Sequence, residues 1–532
     1  MLYSAEHNAL VYQTDAPLPI LATTDGAARL EGGHIAVPAT LLNLQALQAL
    51  NYATIPPMET AGYDWPIKRP WKPLPHQKIT SNFLALHRRC FCLNDMGTMK
   101  TLSALWAADF LMEMERREGR AFRALIVAPL SILRSVWGDA IFQNFVNRRK
   151  FVVLHGDAEK RRKLLNIDAD FYIINHDGLG VGVPMERKQP FSGLAKDLEE
   201  RKDIRLAIVD EASVYRDSTT KRHRVARRLL GEREYLWMMT GTPTPNGPVD
   251  AYGLAKLVNN AHGETLTNYK QRVMMQLAAF KWVPRQGSAQ AAKAMLTPAV
   301  RYAIEDCVDL PPCTTQQRDV EMSPTQNKAY TELKREAVLM VREGKMIQAV
   351  NQAALRTKLI QIACGAVYDD KNDTHTLDAS PRIAVLREVL EQCAEKVIVF
   401  APLTNVLNML HKDLCKDFSC AVINGQVGQD ERAKVFRGFQ SGDHPRVILA
   451  DPATMAHGLT LTAASTIVWY APTDKTELYI QANKRIDRPG QTKNTTIVQI
   501  AATPVEREIY RRLENNETMQ GVILKLTEGT KQ

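Results

Sequence analysis

The sequence contains no apolar run close to the roughly 18 residues that a membrane-spanning helix needs, so we expect no transmembrane segment. The first residues, MLYSAEHNALVYQTD, lack the basic-then-apolar order of a secretion signal. The eight cysteines are scattered, and two of the closest pairs, Cys90/Cys92 and Cys307/Cys313, lack the C-x-x-C spacing of a zinc knuckle. These absences favour reduced thiols and a cytoplasmic protein, and they argue against a zinc site.

Internal repeats and low-complexity tracts are also absent, and the composition is that of ordinary globular protein. A length of 532 residues suggests about three or four domains. The net charge of +10 favours a polyanionic partner such as nucleic acid, the alternative being a merely basic globular protein.

Residues 1–65 differ in pattern from the rest of the chain. Short apolar runs broken by Pro, Gly and Asp predict a small β-rich module, and LLNLQALQALNY predicts one short helix. The Pro/Trp-rich segment 55–75 disfavours regular helix and is typical of a linker lying along a surface. The module is either an accessory binding domain for an unknown protein partner or a structural cap.

Two stretches of alternating strands and helices follow the N-terminal module. They predict an α/β fold with a first lobe at 66–305 and a second at 306–532, the second carrying a helical insertion at about 323–364. Short, continuously apolar strands between helices indicate parallel sheets covered on both faces. The predicted strands are 91–95, 124–129, 151–155, 171–176, 206–211 and 235–243, then 396–402, 420–426, 446–452, 466–472 and 495–502.

The stretch Leu93–Thr101, LNDMGTMKT, joins a predicted strand to a predicted helix and places Lys100 and Thr101 at the start of that helix. Such a loop turns backbone N–H groups and the helix dipole toward an anion, while the lysine reaches phosphates and the threonine holds Mg²⁺. The usual spacing is G-x-x-x-x-G-K-[ST], but here Asn94 and Met99 replace the glycines. Alone, this match is weak.

Asp210 and Glu211 end the apolar run LAIVD and lie at the carboxyl edge of the same predicted sheet. One carboxylate can hold Mg²⁺ through water and the other can deprotonate an attacking water. A solvated Asp-Glu pair is the alternative. The turn Thr240-Gly241-Thr242 follows the sixth strand and suits an element that responds to nucleotide state; the alternative is a simple Thr/Gly/Pro turn, and alone this signal is weak.

Arg485 and Arg488 are three residues apart, and on a helix they would share one face. Paired guanidinium groups suit the charge of a transferring phosphoryl group, whereas the alternative is a solvated basic helix.

Taken in order, these motifs resemble a superfamily-two helicase or translocase of the Swi/Snf-like branch, most like its short phage or bacterial members. The segments that carry the resemblance, which covers about residues 70–530, are DMGTMKT, IVAPLSILRSVW, DEAS, MTGTP, INGQVGQDERAKVFRGFQSG, MAHGLTLTAA and QANKRIDRPGQ. The resemblance implies two RecA-like lobes with an ATP cleft between them, ATP and Mg²⁺ as cofactors, DNA (duplex more than single strand) as partner, and the cytoplasm of a bacterium or phage-infected cell as location.

The resemblance also implies roles for single residues. It implies that Lys100, Asp210, Glu211, Arg485 and Arg488 are catalytic, with Thr101 and Asp210 at the metal. The implied ATP-binding set adds Gln77, which would read adenine, and Met96, Gly97, Thr98, Met99, Gly458 and Gln481. The implied coupling element, which responds to nucleotide state, consists of Thr240, Gly241 and Thr242. The implied nucleic-acid contacts are Pro129, Leu130, Ser131, Thr404, Gln429, Arg432 and Thr454.

Three departures qualify this resemblance: Met99 replaces a glycine, Ser213 replaces the histidine of DEAH, and Thr460 stands where asparagine is common. The expected function is a DNA-stimulated ATPase motor. Two alternatives remain open, namely a nucleic-acid-binding scaffold that hydrolyses ATP weakly because of Met99, and an RNA-directed motor. Strand separation, duplex translocation and annealing are not distinguished by the sequence.

Overall fold

The computed structural model of the protein describes residues 1–184, 190–278, 281–342, 349–368, 374–455 and 460–528. The chain divides into two compact units, the first comprising Met1–Cys307 with Gln520–Gln532 and the second Val308–Met519. Over the described ranges, none of the helices combines the length and apolar character required to traverse a lipid bilayer. All eight cysteines are free.

The N-terminal part of the first unit is a four-stranded antiparallel sheet with strand order β1-β2-β4-β3. Alternate residues of β2 and β4, such as Leu10 and Val37, are fully buried, which is the burial pattern of a sheet with one covered face. Its elements are β1 (Leu2–Ser4), β2 (Ala9–Gln13), α1 (Pro17–Thr23), β3 (Ala28–Arg29), β4 (His34–Pro38) and α2 (Leu41–Ala49). The short helix predicted near residue 45 is present as α2, while α1 was not predicted.

One amide of α2 joins this sheet module to the rest of the first unit. The Nε2 of Gln45 donates to the carbonyl of Ala85 at 2.8 Å and to the hydroxyl of Tyr235 at 3.0 Å, and all three groups are buried. The Oε1 of Gln45 accepts from the Nε of Arg88 at 3.2 Å. Leu86 packs against the apolar core of the module. Both polar atoms of this buried amide are hydrogen-bonded, so Gln45 fixes the module to the rest of the first unit.

The remainder of the first unit is built around a seven-stranded, all-parallel sheet with strand order β13-β5-β10-β9-β6-β8-β7. A small antiparallel hairpin, β11-β12, stands apart from it. The elements are α3 (Pro57–Thr60), α4 (Pro75–Leu86), β5 (Arg89–Cys92), α5 (Lys100–Arg117), β6 (Arg123–Ala128), α6 (Asp139–Asn144), β7 (Phe151–Val153), α7 (Ala158–Leu165), β8 (Phe171–Asn175), α8 (Gly193–Glu200), β9 (Ile204–Asp210), α9 (Lys221–Leu229), β10 (Tyr235–Met239), α10 (Ala251–Val258), α11 (Leu266–Val273), β11 (Met274–Ala278), β12 (Lys281–Pro284), α12 (Ser288–Met295) and β13 (Ala299–Val300).

The second unit contains a six-stranded parallel sheet with strand order β14-β21-β20-β17-β19-β18 and a separate β15-β16 pair. Its elements are β14 (Cys313–Asp319), α13 (Pro324–Arg342), α14 (Ala349–Cys364), β15 (Ala366–Tyr368), β16 (Thr374–Thr376), α15 (Ser380–Gln392), β17 (Lys396–Phe400), α16 (Thr404–Leu414), β18 (Cys420–Ile423), α17 (Gln429–Ser441), β19 (Val447–Ala450), β20 (Ala464–Trp469), α18 (Thr476–Asn483), β21 (Thr495–Ala501) and α19 (Pro504–Glu528).

The predicted fold class, two parallel-sheet α/β lobes with a small N-terminal module, is confirmed. The central strands are buried apolar runs, as expected for sheets covered on both faces. Two edge strands, β13 and β14, were not predicted. The Pro/Trp-rich segment is not wholly irregular, because Pro57–Thr60 forms a short helix that begins with proline.

A buried ion pair lies in the second unit, where α15 meets α19. The guanidinium of Arg382 donates to the Oε1 of Glu506 at 2.7 Å, and both side chains are almost fully inaccessible to solvent. Burial lowers the pKa of Arg382, but the neighbouring carboxylate of Glu506 outweighs that effect and the net pKa is raised. The other carboxylate oxygen accepts from the N–H groups of Ala502 and Thr503, so this glutamate also caps α19.

Two histidines, the buried His223 and the half-buried His87, make the first unit sensitive to acid. Burial lowers the pKa values of His87 and His223 from 6.5, and the cations Arg227 and Lys256 contribute at His223. The unfolded chain takes up these protons near pH 6.5, whereas the folded chain takes them up only at lower pH. The folded state therefore has its full stability, as far as these histidines are concerned, above pH 6.5. As the pH falls from there through the folded pKa values, the unfolding free energy decreases by up to about 1.4 kcal/mol per pH unit per histidine.

We expect urea titrations at pH 7.5 and 5.5 to show a lower unfolding free energy at pH 5.5. His223→Gln keeps a donor for the Gly253 carbonyl, which the His223 Nε2 contacts at 2.9 Å, but does not titrate. In this variant the difference in unfolding free energy between pH 7.5 and pH 5.5 should be smaller. An unchanged difference would show that groups other than His223 cause the pH dependence.

Candidate functional site

The 93–99 loop connects β5 to α5 at the carboxyl edge of the first parallel sheet. Lys100 is the first residue of α5 and Met99 is its N-cap. Gly97 has φ 89° and Met99 has φ 58°, so two residues of this loop adopt left-handed backbone conformations. Glycine adopts that conformation freely, whereas Met99 adopts it at a cost of about 1–2 kcal/mol. The side chain of Met99 is 44% exposed, so its bulk is not packed into the loop.

The ammonium of Lys100 turns back over this loop. Its Nζ donates to the carbonyl of Asn94 at 2.8 Å and to that of Asp95 at 3.3 Å. Within the described part of the chain, Lys100 forms no ion pair with a carboxylate. The loop thus holds a positive charge whose partners are neutral carbonyl groups.

Several residues that were not singled out from the sequence hold the loop in place. Arg301 forms an ion pair with Asp95 at 2.8 Å, and the Tyr302 N–H donates to the Oδ1 of Asn94. His76 contacts the carbonyl of Thr98 through its Nε2 at 3.1 Å. The contacts of Arg301 and Tyr302 join segments more than 200 residues apart in sequence, which is why motif spacing could not reveal them.

Asp210 and Glu211 lie at the end of β9, at the same carboxyl edge of the sheet as the 93–99 loop. Asp210 is buried, and burial raises its pKa, while the nearby Lys100 charge opposes that rise. Its Oδ1 accepts the Glu211 N–H and its Oδ2 accepts the indole N–H of Trp137, both at 3.0 Å. Glu211 has φ 49°, a strained conformation that turns the chain sharply after the strand.

The Thr240–Thr242 turn follows β10 and lies against the 93–99 loop. A Cβ at Gly241 would be 3.4 Å from the Met96 backbone nitrogen, which is van der Waals contact. Thr240 and Thr242 are fully buried, and the Thr242 N–H donates to the Oγ1 of Thr240 at 3.0 Å. Three predicted motifs thus converge at one edge of the sheet, where Met96 and Thr98 are also buried.

Gln77 lies in the first turn of α4 and is almost completely buried. Its Oε1 accepts the Leu74 N–H at 3.0 Å, which fixes the amide orientation. Its Nε2 has no hydrogen-bond partner within the described structure. A buried donor without a partner is costly, so this amide is suited to an acceptor supplied by a ligand.

Trp137 is the group that orients Asp210, and it comes from the IVAPLSILRSVW segment. The motifs predict that Asp210 holds Mg²⁺ for ATP hydrolysis. For such a site we expect Trp137→Phe, which keeps the buried ring but removes the donor, to raise the Mg²⁺ concentration needed for half-maximal turnover by about 10-fold. Trp106→Phe is the matched control, because Trp106 is equally buried but donates to the Pro66 carbonyl. Equal Mg²⁺ dependence in both variants would show that Trp137 contributes packing but does not orient Asp210.

In the second unit, the structure corrects the expectation that Arg485 and Arg488 share a helix face. The helix α18 ends at Asn483, so both arginines lie in the turns that follow it. Arg485 is buried, and its carbonyl accepts the Leu461 N–H at 3.1 Å. Arg488 is partly buried, and its Nε donates to the Lys484 carbonyl at 2.6 Å. The turn, rather than a helix, sets their relative position.

The other predicted positions of the second unit follow the carboxyl ends of its strands. Thr404 begins α16 after β17, and Gln429 begins α17 after β18. The guanidinium of Arg432 donates to the Asn424 carbonyl at 2.8 Å, and the hydroxyl of Thr454 donates to the Asp451 carbonyl at 2.7 Å. Gln481 is buried in α18, and Gly458 lies outside the described residues.

In the first unit, Pro129, Leu130 and Ser131 follow β6 at the carboxyl edge, with Leu130 and Ser131 exposed. Each lobe therefore carries its predicted nucleic-acid residues at the edge of the sheet where ligands of parallel sheets bind. Thr101 is half-buried in the first turn of α5.

Family models match both parts of the chain. A model described as SNF2-related domain matches residues 47–364, and one described as helicase conserved C-terminal domain matches residues 381–490. The chain belongs to the SNF2-related family. The Swi/Snf-like resemblance expected from the motifs is thereby confirmed, and the SNF2-related match contains Lys100, Asp210 and Thr240.

Relatives of this SNF2-related chain include phage and bacterial proteins. Protein p41 of Acyrthosiphon pisum secondary endosymbiont phage 1 is 25% identical over 467 residues, covering 84% of this chain and 96% of the phage protein. An uncharacterized ATP-dependent helicase of Mycoplasma genitalium, MG018, is 22% identical over 431 residues, covering 80% of this chain but only 39% of that protein.

Among solved structures, a Sulfolobus solfataricus SWI2/SNF2 ATPase core in complex with dsDNA is similar to this chain. The TM-score is 0.39 at 18% sequence identity, covering 87% of this chain and 96% of that one.

Proposed function

We propose that this SNF2-related chain is a nucleic-acid-dependent motor that hydrolyses ATP to ADP and phosphate, and that DNA, duplex more than single strand, stimulates it. The observation that carries the proposal is the convergence of Lys100, Asp210 and Glu211 at one edge of the first parallel sheet. A cation for phosphates, a buried carboxylate and a second carboxylate beside it are the groups that γ-phosphate hydrolysis requires.

The residues present fit Mg²⁺ and ATP. Lys100 carries a charge that contacts only carbonyl groups, so the phosphates of ATP can replace those contacts. Gln77 offers a buried donor that suits the N7 acceptor of adenine. Asp210, with Thr101, provides oxygen ligands for Mg²⁺, which neutralises phosphate charge when bound.

The remaining residues complete the reaction. Glu211 deprotonates the attacking water, which contributes about 10²–10⁴-fold in rate for a positioned base. Arg485 and Arg488 act as arginine fingers on the transferring phosphoryl group. Thr240 and Thr242, packed near the 93–99 loop, transmit the nucleotide state. Gly458 and Gln481 complete the nucleotide contacts from the second lobe.

DNA as the polymer is supported by the family and by charge. The matched relative MG018 carries the name of an ATP-dependent helicase, and the net charge of +10 favours a polyanion. Pro129, Leu130 and Ser131 in the first lobe, with Thr404, Gln429, Arg432 and Thr454 in the second, contact the phosphates of one strand in this proposal.

The test is phosphate release from ATP with duplex DNA, single-stranded DNA and RNA. We expect turnover to rise most with duplex DNA; stimulation by RNA alone would assign the chain to RNA instead. A triplex-displacement assay beside a forked-duplex unwinding assay separates translocation from strand separation. We expect triplex displacement, since a motor that tracks duplex DNA removes the third strand without separating the other two.

A nucleic-acid-binding scaffold with weak hydrolysis is the second candidate, and the left-handed backbone of Met99 favours it. We expect Met99→Gly to raise the unfolding free energy by up to about 1 kcal/mol, because glycine removes the backbone strain, and to leave ATP turnover within a few-fold. Met99→Ala is the control, since it removes side-chain bulk but keeps the strain. If the wild-type chain does not hydrolyse ATP and the Met99→Gly variant does, the chain is a nucleic-acid-binding scaffold.

A further inference from the structure

The Pro/Trp-rich linker forms one wall of an open cleft in the first unit, which we call the linker cleft. Its volume is about 680 Å³, within the range of ligand-binding pockets. Trp65, Arg69, Trp71 and Lys72 of the linker line it, together with Lys78 from α4. None of these residues belongs to the ATP or nucleic-acid positions described above.

The cations of the linker cleft are not neutralised by the protein. Arg69, Lys72 and Lys78 form no ion pair within the described residues, whereas many arginines elsewhere in the first unit pair with carboxylates. The acidic lining residue, Asp64, has both oxygens bound by the guanidinium of Arg148 at 3.0 and 2.8 Å. The linker cleft is therefore a region of uncompensated positive charge.

An aromatic side chain accompanies this charge. Trp71 is 71% exposed, which is unusual for a large aromatic side chain, and its ring is available for stacking. Trp65 is packed edge-on against Trp106 at 5.4 Å, with the ammonium of Lys78 over its face at 5.2 Å. One tryptophan thus anchors the linker while the other is presented to solvent.

The linker segment that precedes these groups is fixed to the lobe by hydrogen bonds. The indole N–H of Trp106, on α5, donates to the Pro66 carbonyl at 2.7 Å. The Lys68 N–H donates to the side chain of Asn144 at 2.8 Å, and the hydroxyl of Tyr63 donates to Asp109 at 2.6 Å. Prolines on either side of Trp71 restrict the backbone further. The backbone next to Trp71 is therefore largely ordered before binding, which lowers the entropic cost of binding.

We propose that the linker cleft binds a single-stranded segment of nucleic acid, with a base stacked on Trp71 and phosphates near Arg69, Lys72 and Lys78. Interleaved cations and an open aromatic face are the features of surfaces that follow single strands. An unpaired base offers its face to such a ring, whereas the bases of a duplex are covered by their neighbours. This site does not depend on ATP hydrolysis.

The test is fluorescence-anisotropy binding of a labelled oligothymidylate of about eight nucleotides to the full chain without nucleotide. We expect Trp71→Ala to weaken binding about 10-fold, the loss of one base stack. We expect Arg69→Ala/Lys72→Ala to reduce the slope of log K against log salt by about 1.4, the value for two phosphate contacts on a single strand. Lys68→Ala, an exposed lysine of the same linker that does not line the cleft, should bind like wild type.

Three outcomes would overturn the proposal. Unchanged binding in both cleft variants would place the single strand elsewhere. Poly-glutamate that competes as well as the oligonucleotide, with the same sensitivity to Trp71→Ala, would assign the linker cleft to an acidic protein. An increased KM for ATP in Trp71→Ala with unchanged oligonucleotide binding would assign Trp71 to the nucleotide. Failure here leaves DNA-stimulated turnover unaffected, so the two proposals fail separately.

Discussion

Replacing Lys100 with alanine is expected to lower ATP turnover at least about a hundredfold, the effect of losing one preorganised charge at a transferring group. Lys100 is the cation of the 93–99 loop, and its Nζ contacts only carbonyl oxygens. In the proposed ATP site its removal takes one positive charge away from the phosphates, so ATP binding should weaken together with turnover. Phosphate release and the binding of a fluorescent ATP analogue measure the two effects.

Glu211→Gln should give a different pattern at the same site. The amide keeps the size of the side chain but cannot accept a proton, so we expect turnover to fall about 10²–10⁴-fold while ATP binding persists. Lys202→Ala, an exposed lysine in the same unit, is the control and should behave like wild type. Normal turnover in both Lys100→Ala and Glu211→Gln would contradict the assignment of the site.

Glu506→Gln is expected to lower the unfolding free energy of the second unit by about 3–5 kcal/mol, the cost of leaving one member of a buried ion pair without its partner. The substitution turns an amide donor or a neutral oxygen toward the guanidinium of Arg382, which is held between the Glu506 carboxylate and the carbonyls of Tyr470 and Ile500. Chemical denaturation of the full chain measures the loss.

Glu508→Gln is the matched control, because it makes the same chemical change on the same helix at a side chain that is 69% exposed. Its ion pair with Arg511 should contribute less than about 1 kcal/mol. A double variant, Arg382→Met/Glu506→Gln, should lose less stability than the sum of the two single variants, since no unpaired charge then remains. Additive losses would show that the two side chains act independently.

The central strands and the 93–99 loop could be predicted from the sequence because buried parallel strands are short apolar runs, and motifs at their carboxyl ends meet at one edge. Asp210 and Glu211 were placed correctly at the end of β9 for this reason. The positions of these residues follow from strand order alone and need no knowledge of side-chain packing.

Features that depend on tertiary context could not be predicted. Strand β14, CTTQQRD, is polar and exposed along its whole length, so it carries no apolar signal and is defined only by its pairing with β21. Helix α18 ends at Asn483, although the pattern through Arg488 is compatible with a longer helix. The hydrogen bond from Trp137 to Asp210 joins residues 73 positions apart, which no local pattern encodes.

The amide of Gln45 has a consequence for how the chain folds. Its contacts with the Ala85 carbonyl and the Tyr235 hydroxyl reach the helix before β5 and the first residue of β10. Cutting the chain near residue 55 would leave two buried polar groups of the first parallel-sheet lobe without these partners and expose Leu86. The first 55 residues and the lobe therefore form one cooperative folding unit, and a chain truncated at this point is a destabilised one.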